Sequence, residues 1–148
     1  MRIRDFQPSD LPVLSKIDEA CFPPGISYSR EELAGFIAFR STRTWVAEDG
    51  GLIVGFLVAN REPARVGHII TIDVVEGARH QGTGTRLMNV AEDWAREARL
   101  QVIYLETAED NVAALNFYEG LGYRRLDKVE RYYSNGQAAW VMVKHLKK

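Results

Sequence analysis

The chain has 148 residues, with 19 basic and 20 acidic side chains for a formal net charge of −1, and 46% of its residues are apolar. This is ordinary globular composition, which excludes disordered and fibrous classes. The near-neutral balance argues against a nucleic-acid binder, which carries a basic excess on one face. The lone cysteine, Cys21, excludes an internal disulfide framework and points to a reducing compartment, so a cytoplasmic location is expected. No stretch approaches the roughly 20 apolar residues that span a bilayer, and the first residues lack a signal-peptide core. No repeat or linker divides the chain, so one domain over residues 1–148 is expected.

Arg2 to Phe6 alternates as a strand does, and Ser9 or Asp10 can cap a following helix whose Leu11, Leu14, Ile17 and Cys21 recur at helical spacing. Pro23 and Pro24 stop it, because proline lacks a donor and fixes φ. Ser29 and Glu32 have capping-box spacing and start a second helix with Leu33, Phe36 and Ile37 on its buried stripe. Thr44 to Glu48 and Leu52 to Ala59 flank Asp49-Gly50-Gly51 as a hairpin, and a third strand follows at about His68 to Val74. Leu87, Val90, Ala91, Trp94, Ala95 and Ala98 then form the clearest helical stripe in the chain. Glu92 and Arg96 have the spacing of an exposed ion pair on its other face. Val102 to Thr107 reads as a strand, Asn111 caps a helix ending at Gly120-Leu121-Gly122, and two last strands fit Tyr123 to Val129 and Trp140 to Leu146. Together these give an α+β or mixed α/β sheet covered by helices.

The run Arg79-His80-Gln81-Gly82-Thr83-Gly84 lies between a strand and the amphipathic helix. Glycines there let the backbone approach an anion, and the first free helix amides point at it with the positive end of the dipole. A purely structural turn is the bland alternative. No G-K-[ST] occurs, which removes the P-loop, and a dinucleotide fingerprint starting at Gly82 would need a glycine where Leu87 stands. His68, His80 and His145 show no ligand spacing, so no metal is expected.

Arg79-x-x-Gly82-x-Gly84 resembles the pyrophosphate loop of the GNAT acetyltransferases. A second signature is more specific: Leu105-Glu106-Thr107, then Asn111-x-x-Ala114-x-x-Phe117-Tyr118-Glu119-x-x-Gly122-Tyr123. Within that superfamily the chain is most similar to the RimI-type N-terminal acetyltransferases, which act on the N-terminal alanine of a ribosomal protein. Phe22-Pro23-Pro24 and Arg131-Tyr132-Tyr133 extend the likeness nearly end to end.

The resemblance implies a mostly antiparallel, twisted central sheet of about seven strands with one splayed parallel pair, flanked by about four helices. It implies an N-acetyltransferase that takes acetyl-CoA as co-substrate, needs no metal, and transfers acetyl directly to the N-terminus of a protein or peptide. Carried over residue by residue, Glu106 is the general base and Tyr118 the general acid for the departing thiolate. Ile72, Asp73 and Val74 offer the backbone edge for the cofactor; Arg79, His80, Gln81, Gly82, Thr83, Gly84 and Thr85 hold its pyrophosphate; Asn111 bonds it as well. Phe22, Ile26, Tyr28, Tyr132 and Tyr133 wall the acceptor entrance. No nucleic acid or membrane partner is implied, and a monomer or weak homodimer is expected. The chain departs from the pattern at Glu76-Gly77, at Asp73 where a small residue is usual, and at Ser134 to Ala139, which lacks an acidic pair. A small-molecule amine acetyltransferase and a CoA-binding module without catalysis are the rival readings.

Overall fold

The computed structural model describes residues 1–146. Lys147 and Lys148, the last positions of the expected domain, lie outside them. Strand β1 (Arg2–Asp5) leads through a short 3-10 turn to helices α1 (Leu11–Cys21) and α2 (Arg30–Ala38). Strands β2 (Thr42–Asp49), β3 (Leu52–Glu62) and β4 (Val66–Val74) form a meander. Helix α3 (Thr83–Glu97), strand β5 (Val102–Ala108), helix α4 (Val112–Gly120) and the hairpin β6 (Arg124–Val129) and β7 (Ala139–His145) complete the described chain. The seven described strands form one sheet in the order β1-β2-β3-β4-β5-β7-β6. All neighbours are antiparallel except β4 and β5.

Local chemistry accounts for the helix ends. The Ser29 side chain accepts from the Glu32 amide and Glu32 reaches back to the Ser29 amide, the reciprocal capping box expected from the sequence. Asn111 Oδ1 accepts from the Ala114 amide at 3.1 Å and starts α4. Leu87, Met88, Ala91 and Ala95 of α3 are fully buried against one sheet face, joined there by Leu115 and Tyr118 of α4. Leu14, Ile17 and Leu33 of α1 and α2 cover the other face over Val46, Phe56 and Val58. Each fully buried large apolar side chain contributes about 1.5–3 kcal/mol, so these two stripes hold the layers together. No helix among the described residues is long and apolar enough to cross a membrane.

Glu92 corrects the sequence reading. Its side chain is not on an exposed face but buried, accepting from Lys144 Nζ at 2.8 Å and from the Tyr123 hydroxyl at 2.9 Å, with Arg96 only at 3.5 Å. It joins α3 to β7 and to the end of α4.

The sheet's main irregularity builds the site. Strands β4 and β5 pair only at Val66–Val102, Gly67–Ile103 and His68–Tyr104, and then separate. At that point the β3–β4 register slips, with Val58 opposite Thr71 but Ala59 opposite Ile69, so Ile70 is an extra residue. Such a bulge bends its strand and shifts the side-chain alternation by one. His68, Thr71 and Asp73 therefore share the α1 face, while Ile69, Ile72 and Val74 face α3.

Candidate active site

The parting of β4 and β5 opens a groove of about 1080 Å³ that passes from one sheet face to the other. At its α3 end stands the glycine-containing turn. Gly82, at φ +84°, adopts the left-handed conformation that caps α3 without a side-chain penalty. The amides of His80 to Thr85 find no acceptor among the described residues, so they and the α3 dipole converge on open space. That donor set fits a diphosphate. The side chains divide differently: Arg79, His80, Gly82, Gly84 and Thr85 line the groove, whereas Gln81 bonds the Gly77 carbonyl and Thr83 is buried near the Ala78 carbonyl. Arg79 itself turns its guanidinium to the Val74 carbonyl at 3.0 Å.

Along the β4 edge, Val75 donates to the Val54 carbonyl at 2.9 Å. Antiparallel alternation then commits the backbone groups of Asp73 and Thr71 to β3 and leaves those of Ile72 and Val74 facing the gap. The Asp73 side chain turns towards α1 and is buried. Asn111 lines the groove, though its side-chain oxygen is occupied by the helix cap.

On the α1 face, Glu106 of β5 receives a partner that spacing alone did not reveal. His68 Nε2 lies 2.6 Å from Glu106 Oε1 and 3.0 Å from Oε2. His68 Nδ1 faces Glu62 at 3.4 Å, the Tyr104 hydroxyl donates to both Glu62 oxygens at 2.9 Å, and the His68 and Tyr104 rings stack at 4.3 Å. The imidazole is thus held in plane between two carboxylates. The opening of β4-β5 pairing at His68–Tyr104 is what puts a residue 38 positions upstream against Glu106.

Around Glu106 stand the tyrosines expected at the acceptor entrance. The Tyr132 phenol is pushed up to about 12 by burial, by the Glu106 charge and by a hydrogen bond to it. Tyr28 and Tyr133 are also raised, chiefly by burial, with the Glu106 charge contributing. Phe22, Pro23 and Ile26 complete one wall of the groove, and Gln137 extends the other. The two walls touch: the Ser134 hydroxyl donates to the Gly25 carbonyl at 2.8 Å. Tyr118 projects from α4 between the two ends; burial and the Asp73 charge raise its pKa, so the phenol stays protonated. Among the described residues no group of three His, Cys, Asp or Glu side chains is placed to hold a metal ion.

A splayed parallel pair, an amide-rich turn at its α3 end and a carboxylate on the partner strand form one constellation, and comparison with known proteins decides what it belongs to. Residues 11–123 match the Acetyltransferase (GNAT) family. The chain is a GNAT acetyltransferase. An uncharacterized N-acetyltransferase of Methanocaldococcus jannaschii is 32% identical over 97% of this chain and 91% of its own length. An N-alpha-acetyltransferase of Sulfurisphaera tokodaii is 28% identical over 95% of this chain and 90% of its own. Among solved structures, Ard1 from Thermoplasma volcanium superposes with a TM-score of 0.89 at 25% identity, covering 99% of this chain and 98% of its own. The Escherichia coli ribosomal-protein-S18-alanine N-acetyltransferase, the RimI type, shares the fold with a TM-score of 0.88 at 20% identity, over 99% and 94%.

Proposed function

We propose that this GNAT enzyme transfers acetyl from acetyl-CoA to the N-terminal α-amine of a protein or peptide, within a single domain. The observation that carries this reading is the bridged entrance. Gly25 and Ser134 join the two walls in front of Glu106 and His68, so an acceptor reaches the carboxylate end-on. A chain terminus threads such an opening, whereas an internal lysine would have to bring chain on both sides of it. The relatives named N-alpha-acetyltransferase support the same acceptor.

The amine's chemistry agrees. An α-amine with a pKa of about 8 is neutral roughly a tenth of the time at neutral pH, against far less than a hundredth for lysine near 10.4, so a carboxylate base suffices for the former. Glu106 takes the ammonium proton, and His68 Nε2, 2.6 Å away, fixes the orientation of its carboxylate. The amine nitrogen attacks the thioester carbonyl, which the free backbone edge at Ile72 and Val74 polarises. The N–C bond forms and the C–S bond breaks; Tyr118 gives its proton to the departing thiolate and is restored by the second proton that the amine nitrogen sheds, while Glu106 returns the first to solvent. Acetyl-CoA supplies the activated acyl group; the amides of His80 to Thr85 hold its diphosphate and the α3 end of the groove its remaining length. Phe22, Ile26, Tyr28, Tyr132 and Tyr133 enclose the first residues of the acceptor. A small-molecule amine is the second reading, favoured by the same bridge, which also makes the entrance pocket-like.

Thiol release from acetyl-CoA, measured with short peptides of varied first residue and with spermidine and free lysine, tests this. Peptide-dependent turnover that falls about 10²- to 10⁴-fold in Glu106→Gln is expected. Turnover on spermidine alone would replace the acceptor class, and undiminished turnover in the variant would remove Glu106 as base.

A further inference from the structure

Two buried carboxyl groups, Asp18 on α1 and Asp73 on β4, have no part in the chemistry above. They are 0% and 1% exposed. Asp18 Oδ2 accepts the Tyr28 amide at 2.7 Å, and Asp73 Oδ1 accepts the Thr71 hydroxyl at 2.6 Å. The other oxygen of each, Asp18 Oδ1 and Asp73 Oδ2, has no donor among the described residues, and the two side chains lie within hydrogen-bonding reach of one another. Buried polar atoms without partners are rare in folded proteins, and two bare carboxylates in contact in a dry interior are rarer still.

A proton between the two oxygens resolves the geometry, because an O–H···O⁻ bond satisfies both at once and leaves one negative charge on the pair. The surroundings match that charge. The Arg79 guanidinium approaches from the turn before α3, at 3.6 Å from Cys21 Sγ, and partly offsets it. The other titratable neighbours are the Cys21 thiol on α1 and the Tyr118 phenol on α4, both raised by burial and by the Asp73 charge, and the Tyr28 phenol, raised by burial with the Asp18 charge contributing. None of the three brings a second positive charge. Burial and the facing Asp18 hold the Asp73 carboxyl well above the usual carboxylate range.

We propose that Asp18 and Asp73 share one proton in the working enzyme, and that this proton positions the acceptor wall by fastening the carboxyl that holds Tyr28 to the strand that edges the reaction centre. The link to the acceptor rests on the function proposed above; the shared proton does not. When a base in solution removes the proton, two carboxylates face each other, Asp18 is driven off β4, and the Tyr28 amide loses its anchor. The pair acts through Tyr28, so both aspartates are positioning residues.

Asp73→Asn and Asp18→Asn each replace the shared proton with a permanent N–H donor, and either one suffices for the test. Infrared difference spectra at neutral pH should show the carbonyl stretch of a protonated carboxylic acid in the wild type and its loss in the variant. A wild type without that band overturns the shared proton, whatever the acceptor. Acceptor KM is then followed across the pH range in which the band disappears. The ratio of wild-type to variant KM should rise about tenfold, the worth of one hydrogen bond to a charged group, while kcat keeps the same pH course in both. A constant ratio across the loss of the band overturns the coupling to Tyr28. If no peptide is turned over, the function is at fault, and the infrared result still decides the pair.

Discussion

Tyr118→Phe separates the chemistry of this enzyme from its folding. The ring is 8% exposed and packs beside Phe117 and Tyr123, with ring centroids 5.2 and 6.1 Å away. Phenylalanine keeps all of that contact. Burial and the Asp73 charge raise the phenol, and its hydroxyl has no hydrogen-bond partner among the described residues, so removing it breaks no such bond there. Stability should therefore change by no more than about 0.5 kcal/mol. Transition-state stabilisation should fall much further. With Tyr118 as the acid proposed above, its loss leaves the thiolate no proton donor, so kcat should drop about 10²- to 10³-fold, roughly 3–4 kcal/mol, and kcat/KM with it, because the interaction exists only as the C–S bond breaks. Initial rates of thiol release at saturating acetyl-CoA and acceptor, together with a urea unfolding curve, give both numbers from one preparation. A kcat within about threefold of wild type would refute Tyr118 as the acid. A loss of activity in step with a large loss of stability would make the residue structural.

Gly25→Ala attacks the bridge across the entrance. Gly25 has φ +90°, and an added Cβ would stand 2.7 Å from Asn135 Cβ, so the two loops must part; acceptor KM should rise about tenfold with acetyl-CoA KM unchanged, in initial-rate measurements. Asp10→Asn removes a buried carboxylate that Arg4 grips at 2.8 and 2.9 Å, at a cost of about 3 kcal/mol at neutral pH. The Arg4 contact holds the Asp10 pKa below its unfolded value, so this stabilisation is present above the unfolded pKa and is lost as pH falls through the native one; melting curves of the two proteins should converge in acid. Glu92→Ala leaves Lys144 and Tyr123 without their shared acceptor and should cost about 3–5 kcal/mol in a denaturant titration, with Glu92→Gln, which can still accept from Tyr123, costing less.

What the sequence made legible was whatever is decided locally. The Ser29–Glu32 box, the Asn111 cap and the stripe from Leu87 to Ala95 each depend on residues within a turn or two, and each stands as read. The i+4 relation of Glu92 to Arg96 suggests an exposed pair only while its other neighbours are left aside. Glu92 also follows Met88 by four and precedes Ala95 by three, both fully buried, and that spacing is the available sign of its burial. The turn at Arg79 to Thr85 could be found from its glycines, but the turning of the Arg79 side chain towards Val74 could not, since it depends on the path of β4. His68 and Asp18 were unreadable for a different reason. Their partners lie 38 and 55 positions along the chain, and no local pattern marks such a pair.

The extra residue at Ile70 explains much of what both faces can do. In a regular β4, His68, Ile70 and Ile72 would share one face while Thr71 and Asp73 took the other, and Asp73 would then lie on the α3 side, away from Asp18. With the slip, His68 and Asp73 both face α1: the first reaches Glu106, the second reaches the carboxyl that anchors Tyr28. The same slip coincides with the end of β4-β5 pairing, so the bend that opens the groove also sorts its walls into an apolar side with Ile72 and Val74 and a titratable side with His68 and Glu106. A thioester needs the first kind of wall and an ammonium group the second. On the function proposed above, one inserted residue in one strand therefore separates the site of the acyl donor from the site of the proton acceptor, while the gap it opens keeps them close enough for the amine to attack directly.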